Sequence, residues 1–219
     1  MSRTAAELIV EAIRVKPALC LGLPTGNTPL GMYEELLRFY RGEGLDFSGL
    51  RTFNLDEYLG LPRDDPHSFA AYMCEQFFQY VNVPAENIHF PSLEVDYEKE
   101  ITDAGGIDVL IVGIAANGHI AFNEPGSRFE SRTREVALAP ETIANIQREF
   151  GSTNVPPRAV TMGIATILDS RTIVLLASGA AKRDIVQRAL HGPVSEAVPA
   201  SALQSHPSVI VILDEAAAG

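Results

Sequence analysis

The sequence predicts an α/β protein, an open, mostly parallel Rossmann-like sheet with helices on both faces. Three observations carry that prediction. Short, continuous apolar runs rich in β-branched residues recur along the chain. Such runs read as strands buried on both faces, the signature of a parallel sheet. Amphipathic stretches with helical spacing alternate with them, as βα units require. The 219 residues contain no internal repeat and no low-complexity linker, so residues 1–219 are read as one domain.

The elements follow in order. Thr4 and Glu7 have the spacing of a capping box, and Leu8, Ile9, Ala12 and Ile13 share one face, so a first helix is expected, ended by Pro17. Residues 18–23 (ALCLGL) read as a buried strand. A turn follows at Pro24-Thr25-Gly26-Asn27, after which Thr28 can cap a helix with Pro29 in its first position. Leu30, Tyr33 and Leu37 give that helix its stripe. Residues 50–55 read as a strand. Residues 66–80 read as a helix, with Phe69, Met73, Phe77 and Tyr80 at helical spacing. Residues 107–114 (IDVLIVGI) are the strongest strand signal. Residues 159–162, 172–177 and 209–213 are further strands, with a helix at 181–190 between the last two.

Composition narrows the function. The net charge is −11, with 28 acidic and 17 basic residues, and so acidic a surface repels a nucleic-acid backbone. No apolar run approaches the roughly 18 residues that span a bilayer, and the amphipathic N-terminus lacks a signal-peptide core. A cytoplasmic protein with neither nucleic-acid nor membrane partners is expected; monomer and homo-oligomer are both left open. Cys20 and Cys74 sit far apart in apolar segments, which suits buried thiols of a reducing compartment.

In parallel sheets the chemistry gathers at the carboxyl ends of strands. After Leu23, the run GLPTGNTP at 22–29 brings small residues and a helix start together, a cradle for phosphate. It lacks the Lys-Ser/Thr pair of a Walker A loop, and it is no G-x-G-x-x-G fingerprint. After Leu55 come Asp56 and Glu57. Their side chains leave a strand on opposite sides, so one can face a pocket while the other anchors a loop. Beyond the strongest strand, residues 115–126 (AANGHIAFNEPG) combine Asn117, His119 and Glu124, and His is the side chain best suited to moving protons near neutral pH. Arg148 in a helical stretch and Lys182 at a helix start are candidate phosphate cations. His67, His89, His191 and His206 fit no ligand spacing, so no metal is assigned, and no serine sits in a nucleophile elbow.

GLPTGNTP, then FNLDEY at 53–58, then NGHIAFNEPG at 117–126, in that order, resemble the glucosamine-6-phosphate deaminase family, also called glucosamine-6-phosphate isomerases. GLP at 60–62, SRTR at 131–134, SGAAK at 178–182 and LQSHP at 203–207 extend the likeness along nearly the whole chain. The resemblance implies a Rossmann-like fold and conversion of D-glucosamine 6-phosphate and water to D-fructose 6-phosphate and ammonia, without cofactor or metal. It implies that Asp56 removes the C2 proton, that His119 opens the ring, and that Glu124 orients His119. Thr25, Gly26, Asn27 and Thr28 match the phosphate loop, with Arg148 and Lys182 as its cations. Asn117 stands where many members carry Asp; an amide can hold His119 as an acceptor but adds no charge. Members usually open on a short strand ahead of the first helix, whereas this chain starts almost at the helix. Arg134 matches one residue of an activator site found in allosteric members, but Val136 and Ala137 stand where Lys and Thr are expected. The alternatives are a galactosamine-6-phosphate deaminase, a 6-phosphogluconolactonase (the relative that shares the fold but usually lacks the NEP continuation), or a non-catalytic sugar-phosphate sensor.

Overall fold

The apolar runs become parallel strands. In the computed structural model, which describes residues 1–151 and 155–219, β1 (Cys20–Leu23), β2 (Arg51–Asn54), β4 (Ile88–His89), β5 (Val109–Gly113), β8 (Thr172–Ala177) and β9 (Val209–Leu213) form one sheet. Its order is β4-β2-β1-β5-β8-β9, and every neighbouring pair is parallel. The pleat sends alternate side chains to opposite faces. Leu21, Leu23, Val109, Ile111, Val174 and Leu176 enter one core, whereas Cys20, Leu110, Val112, Ile173 and Leu175 enter the other. Helices α1 (Ser2–Val15), α2 (Leu30–Glu43) and α3 (Phe69–Gln76) supply buried side chains to the first core. Helices α4 (Tyr97–Asp103), α6 (Ile164–Leu168), α7 (Arg183–His191) and α8 (Glu215–Ala218) supply the second. Each fully buried Ile or Leu contributes about 1.5–3 kcal/mol, so both faces must be covered for the strands to persist.

A second sheet was not legible. β3 (Asp56–Tyr58), β7 (Arg158–Thr161) and β6 (Arg134–Ala137) pair antiparallel in the order β3-β7-β6. The run at 159–162, expected in the parallel sheet, is the centre of this smaller one. With α5 (Pro140–Phe150) it encloses a third cluster of Tyr58, Phe122, Leu138, Ile146 and Ala159. β6 carries Arg134 and Glu135 and so offers no apolar run to read.

Several local expectations are corrected. Helix α1 starts at Ser2 without a side-chain cap; Thr4 lies inside its first turn and Glu7 pairs with Arg3 at 2.9 Å. Its buried face is Ala5, Ala6, Ile9, Val10 and Ile13, with Leu8 and Ala12 at the margin. Thr28 does not cap α2: the chain turns through Thr28 and Pro29, and the helix begins at Leu30. The helix expected over 66–80 runs only from Phe69 to Gln76, capped by Ser68, whose Oγ accepts from the Ala71 N–H at 3.0 Å. Phe77 leaves helical geometry because its ring is fixed between Tyr33 and Phe47, and Tyr80 ends up exposed. Cys20 is buried as expected, but Cys74 is exposed; both thiols are free.

The sheet order places β2 and β4 on one side of β1, and β5, β8 and β9 on the other. The topological switch point therefore lies between β1 and β5, where a crevice opens beyond the strand ends.

Candidate active site

The GLPTGNTP loop leaves β1 and the NGHIAFNEPG loop leaves β5, so two separate stretches of sequence meet at that crevice. A cavity of about 300 Å³ lies there, with Thr25, Gly26, Asn27 and Thr28 on one wall and Asp56, His119 and Lys182 on others. Tyr58, Phe69 and Phe122 from the third cluster give it an apolar side.

The loop from Thr25 to Thr28 is shaped by its surroundings. Gly26 has φ of 89°, a conformation L side chains rarely adopt, although space for a Cβ is open. The N–H groups of Thr25, Gly26, Asn27 and Thr28 donate to no acceptor among the described residues. Behind them stands the N-terminus of α2, with its partial positive charge. Lys182, in a 3₁₀ turn at Ala180–Lys182, reaches the same cavity, and burial lowers its pKa.

Asp56 opens β3, where the chain leaves the parallel sheet for the small one. It is buried, and burial, followed by the like charge of Glu57, pushes its carboxyl up to about 8. Glu57 turns the other way. Its Oε1 accepts from the Tyr58 and Phe69 N–H groups at 2.8 and 2.9 Å, and its Oε2 from the Ala70 N–H at 2.8 Å. It thus caps α3. The division of labour expected of the two carboxylates is what the backbone produces.

The loop after β5 is closed by two backbone bonds, from Gly118 N–H to Ala115 O and from Ala115 N–H to His119 O. Gly118 must be glycine twice over: φ is 89°, and a Cβ would press on Ile185 and Val198 at 3.0 Å. His119 Nδ1 lies 3.0 Å from Glu124 Oε2. Thr142 Oγ1 donates to Glu124 Oε1 at 2.5 Å, and Asn117 Nδ2 donates to Oε2 at 2.7 Å. Burial alone raises the Glu124 pKa; the bonds from His119, Thr142 and Asn117, together with the imidazolium charge, outweigh it and hold the carboxyl at about 2. Glu124 is therefore ionised, Nδ1 carries the hydrogen, and Nε2 is the basic nitrogen left for a ligand. Asn117 holds His119 through the backbone, its Oδ1 accepting the His119 N–H at 3.1 Å, rather than through the ring. Ala121, just beyond, has φ of 49°, a strained conformation beside the cavity.

The cavity thus gathers Thr25, Gly26, Asn27, Thr28, Asp56, His119 and Lys182, with Asn117 and Glu124 directly behind the imidazole. Arg148 is not brought in: it lies exposed on α5, its guanidinium bonded to Asn145 Oδ1 and Ala144 O. Thr142 was missed, and a lone Thr in a helix carries no signal that could have revealed it. Among the described residues, no three of His, Cys, Asp and Glu converge to hold a metal ion, and no helix is long and apolar enough to cross a membrane.

Fold and site together define a Rossmann-like α/β enzyme whose acid–base groups meet a cradle of free N–H donors at the sheet's switch point. Residues 1–211 match the glucosamine-6-phosphate isomerases/6-phosphogluconolactonase family, and the chain belongs to it. A glucosamine-6-phosphate deaminase of Rhodopirellula baltica is 51% identical over 226 residues, covering 99% of this chain and 90% of its own. That of Clostridium botulinum (strain Loch Maree / Type A3) is 47% identical over 227 residues, covering 100% and 93%. A solved monomeric glucosamine-6-phosphate deaminase superposes with a TM-score of 0.95 at 43% identity, covering 99% of this chain and 94% of that one. The 6-phosphogluconolactonase of Leishmania guyanensis, with a TM-score of 0.75 and 22% identity over 99% and 93% of the two chains, shares the fold.

Proposed function

We propose that this chain converts D-glucosamine 6-phosphate and water to D-fructose 6-phosphate and ammonia. The observation that carries the reading is the single cavity lined by a buried carboxyl, an oriented imidazole and four residues whose backbone N–H groups have no acceptor among the described residues. The deaminases at 43–51% identity support it over the lactonase, whose likeness is one of fold.

The phosphate docks on residues 25–28, with Lys182 as its counter-charge. Its binding holds the sugar against Asp56 and His119, so remote binding energy serves positioning at the reacting carbons. His119 Nε2 takes the anomeric hydroxyl proton and returns it to the ring oxygen. Glu124 fixes the imidazole and balances the transient imidazolium, while Asn117 and Thr142 fix Glu124. In the open chain the C1 carbonyl acidifies the C2 hydrogen. Asp56 removes that proton, giving an enolamine, and returns it to C1, leaving an imine at C2. Water adds to the imine and ammonia leaves. Arg148 lies one turn of α5 beyond Asn145, which lines the cavity, so a phosphate contact from Arg148 requires its side chain to swing inward.

A coupled assay for both products tests the reading. Ammonia and fructose 6-phosphate released in equal amounts from glucosamine 6-phosphate are expected. Lactone hydrolysis without ammonia release from the amino sugar would refute it.

A further inference from the structure

Two tyrosines reach the outer side of the loop that bears the free N–H groups. The Tyr33 hydroxyl donates to Pro24 O at 2.5 Å, and the Tyr72 hydroxyl donates to Gly26 O at 2.6 Å. In a trans peptide the carbonyl of one residue and the N–H of the next point in opposite directions. A hydroxyl that captures the Gly26 carbonyl therefore aims the Asn27 N–H the other way, and one that captures Pro24 O does the same for the Thr25 N–H. No peptide bond among the described residues is cis, those after Pro24 and Gly26 included.

We propose that Tyr72 is a positioning residue for the substrate's phosphate: by holding Gly26 O it fixes the Gly26–Asn27 peptide plane with its N–H turned to the cavity. The inference rests on the reading of residues 25–28 as the phosphate loop. The need for a latch is local. Gly26 has the widest backbone freedom of any residue type, it sits at φ of 89° with nothing within 4 Å of a Cβ position, and none of the loop's N–H groups ties it to the rest of the described chain. Tyr33 is a buried residue of α2, and its bond holds the loop at its root. Tyr72 is half-buried on α3 and holds the loop at its most mobile residue type.

Helix α3 links this loop to Asp56. Its first N–H groups are gripped by Glu57, whose chain neighbour is Asp56, and its first turn carries Tyr72. A single turn of helix therefore spans from the strand that presents the carboxylate to the loop that faces the phosphate. The two ends of the substrate are referenced to one rigid element.

The test compares wild type, Tyr72→Phe and Lys182→Ala in KM and kcat for glucosamine 6-phosphate, the inhibition constant of inorganic phosphate, and thermal midpoint. Tyr72→Phe keeps the ring that packs on the first core and removes only the hydroxyl. It is expected to raise KM and the phosphate inhibition constant together by about three- to tenfold, the span of one lost hydrogen bond, with kcat within about twofold and the midpoint unchanged. A Tyr72→Phe enzyme with wild-type KM and phosphate inhibition, while Lys182→Ala loses both, overturns the latch alone. A lowered midpoint with unaltered phosphate inhibition overturns it equally, since the hydroxyl would then act only on stability. A wild-type enzyme indifferent to inorganic phosphate, with Lys182→Ala likewise indifferent, overturns the phosphate loop and the latch with it.

Discussion

Asp56 is held in an environment that opposes its own charge. A carboxyl pushed up to about 8 is largely protonated at pH 7, so if Asp56 serves as the proposed base, most of the free enzyme lacks that base at pH 7. In the proposed mechanism the substrate's ammonium group at C2 comes beside it and favours ionisation. The pH profile of kcat/KM, corrected for ionisation of the substrate, is therefore predicted to rise with a midpoint near pH 8, and that of kcat at lower pH. The same shift sets a stability cost. Below about pH 4 the carboxyl is protonated in both folded and unfolded chains. Between there and pH 8 the unfolded chain ionises while the folded chain does not, so the penalty grows as pH rises. Asp56→Asn should therefore be more stable than wild type, by on the order of 1–3 kcal/mol at pH 8 and by little at pH 4, in urea melts at the two pH values. Asn117→Asp makes the opposite kind of change. It puts a second carboxylate where an amide now donates to Glu124 at 2.7 Å, so the Glu124 carboxyl should rise from about 2, read by NMR titration, while the limb set by Asp56 near pH 8 stays in place. Asp56, His119 and Glu124 stand in distinctive runs that follow strands, so sequence could single them out as candidates. The partners that orient them were not, because Thr142 and Tyr72 are ordinary helical residues until the fold brings them to Glu124 and Gly26.

Helix α3 shows what periodicity can and cannot read. Its stripe of Phe69, Met73 and Phe77 was visible, but its length was not, since the break at Phe77 is imposed by rings from α2 and from the 45–50 segment. Its start depends on two side chains, Ser68 and Glu57, that satisfy N–H groups otherwise left open at a helix end. Glu57→Ala is predicted to cost about 1–3 kcal/mol in equilibrium denaturation, because three N–H groups lose their acceptor. It should also raise KM, since α3 carries Tyr72. The antiparallel β3-β7-β6 sheet escaped detection for a different reason. The run at 159–162 reads as a strand but says nothing of its partners, since β3 is three residues long and β6 is polar, so neither length nor alternation distinguishes those two from loop.

For the whole molecule, the order of the parallel strands sets where the crevice opens, and residues of GLPTGNTP, FNLDEY and NGHIAFNEPG, with Lys182, line it. The opposite end of the sheet has a structural role. Asp108 accepts from Lys16 at 2.7 Å, from the Cys20 N–H at 2.8 Å and from Arg171 at 3.1 Å, which ties α1, β1 and the approach to β8 beneath β5. The activator question also belongs at this scale. Arg134 donates to Asn123 Oδ1 at 2.9 Å, Val136 packs into the cluster of Tyr58 and Phe122, and the Ala137 side chain offers no donor. An effector shifts an equilibrium only through different affinities for its two states. Velocity is therefore predicted to be hyperbolic in substrate, with a Hill coefficient of about one, and unmoved by N-acetylglucosamine 6-phosphate except through competition. A sigmoidal curve that the acetylated ester straightens would contradict this. That the buried carboxyl opening β3 drives deamination in this fold is tested most directly by ammonia release from glucosamine 6-phosphate by Asp56→Asn. The expected result is a fall in kcat of about 10²–10⁴-fold, the contribution of a general base, while KM stays within a few-fold because residues 25–28 are untouched. Turnover near that of wild type would contradict it.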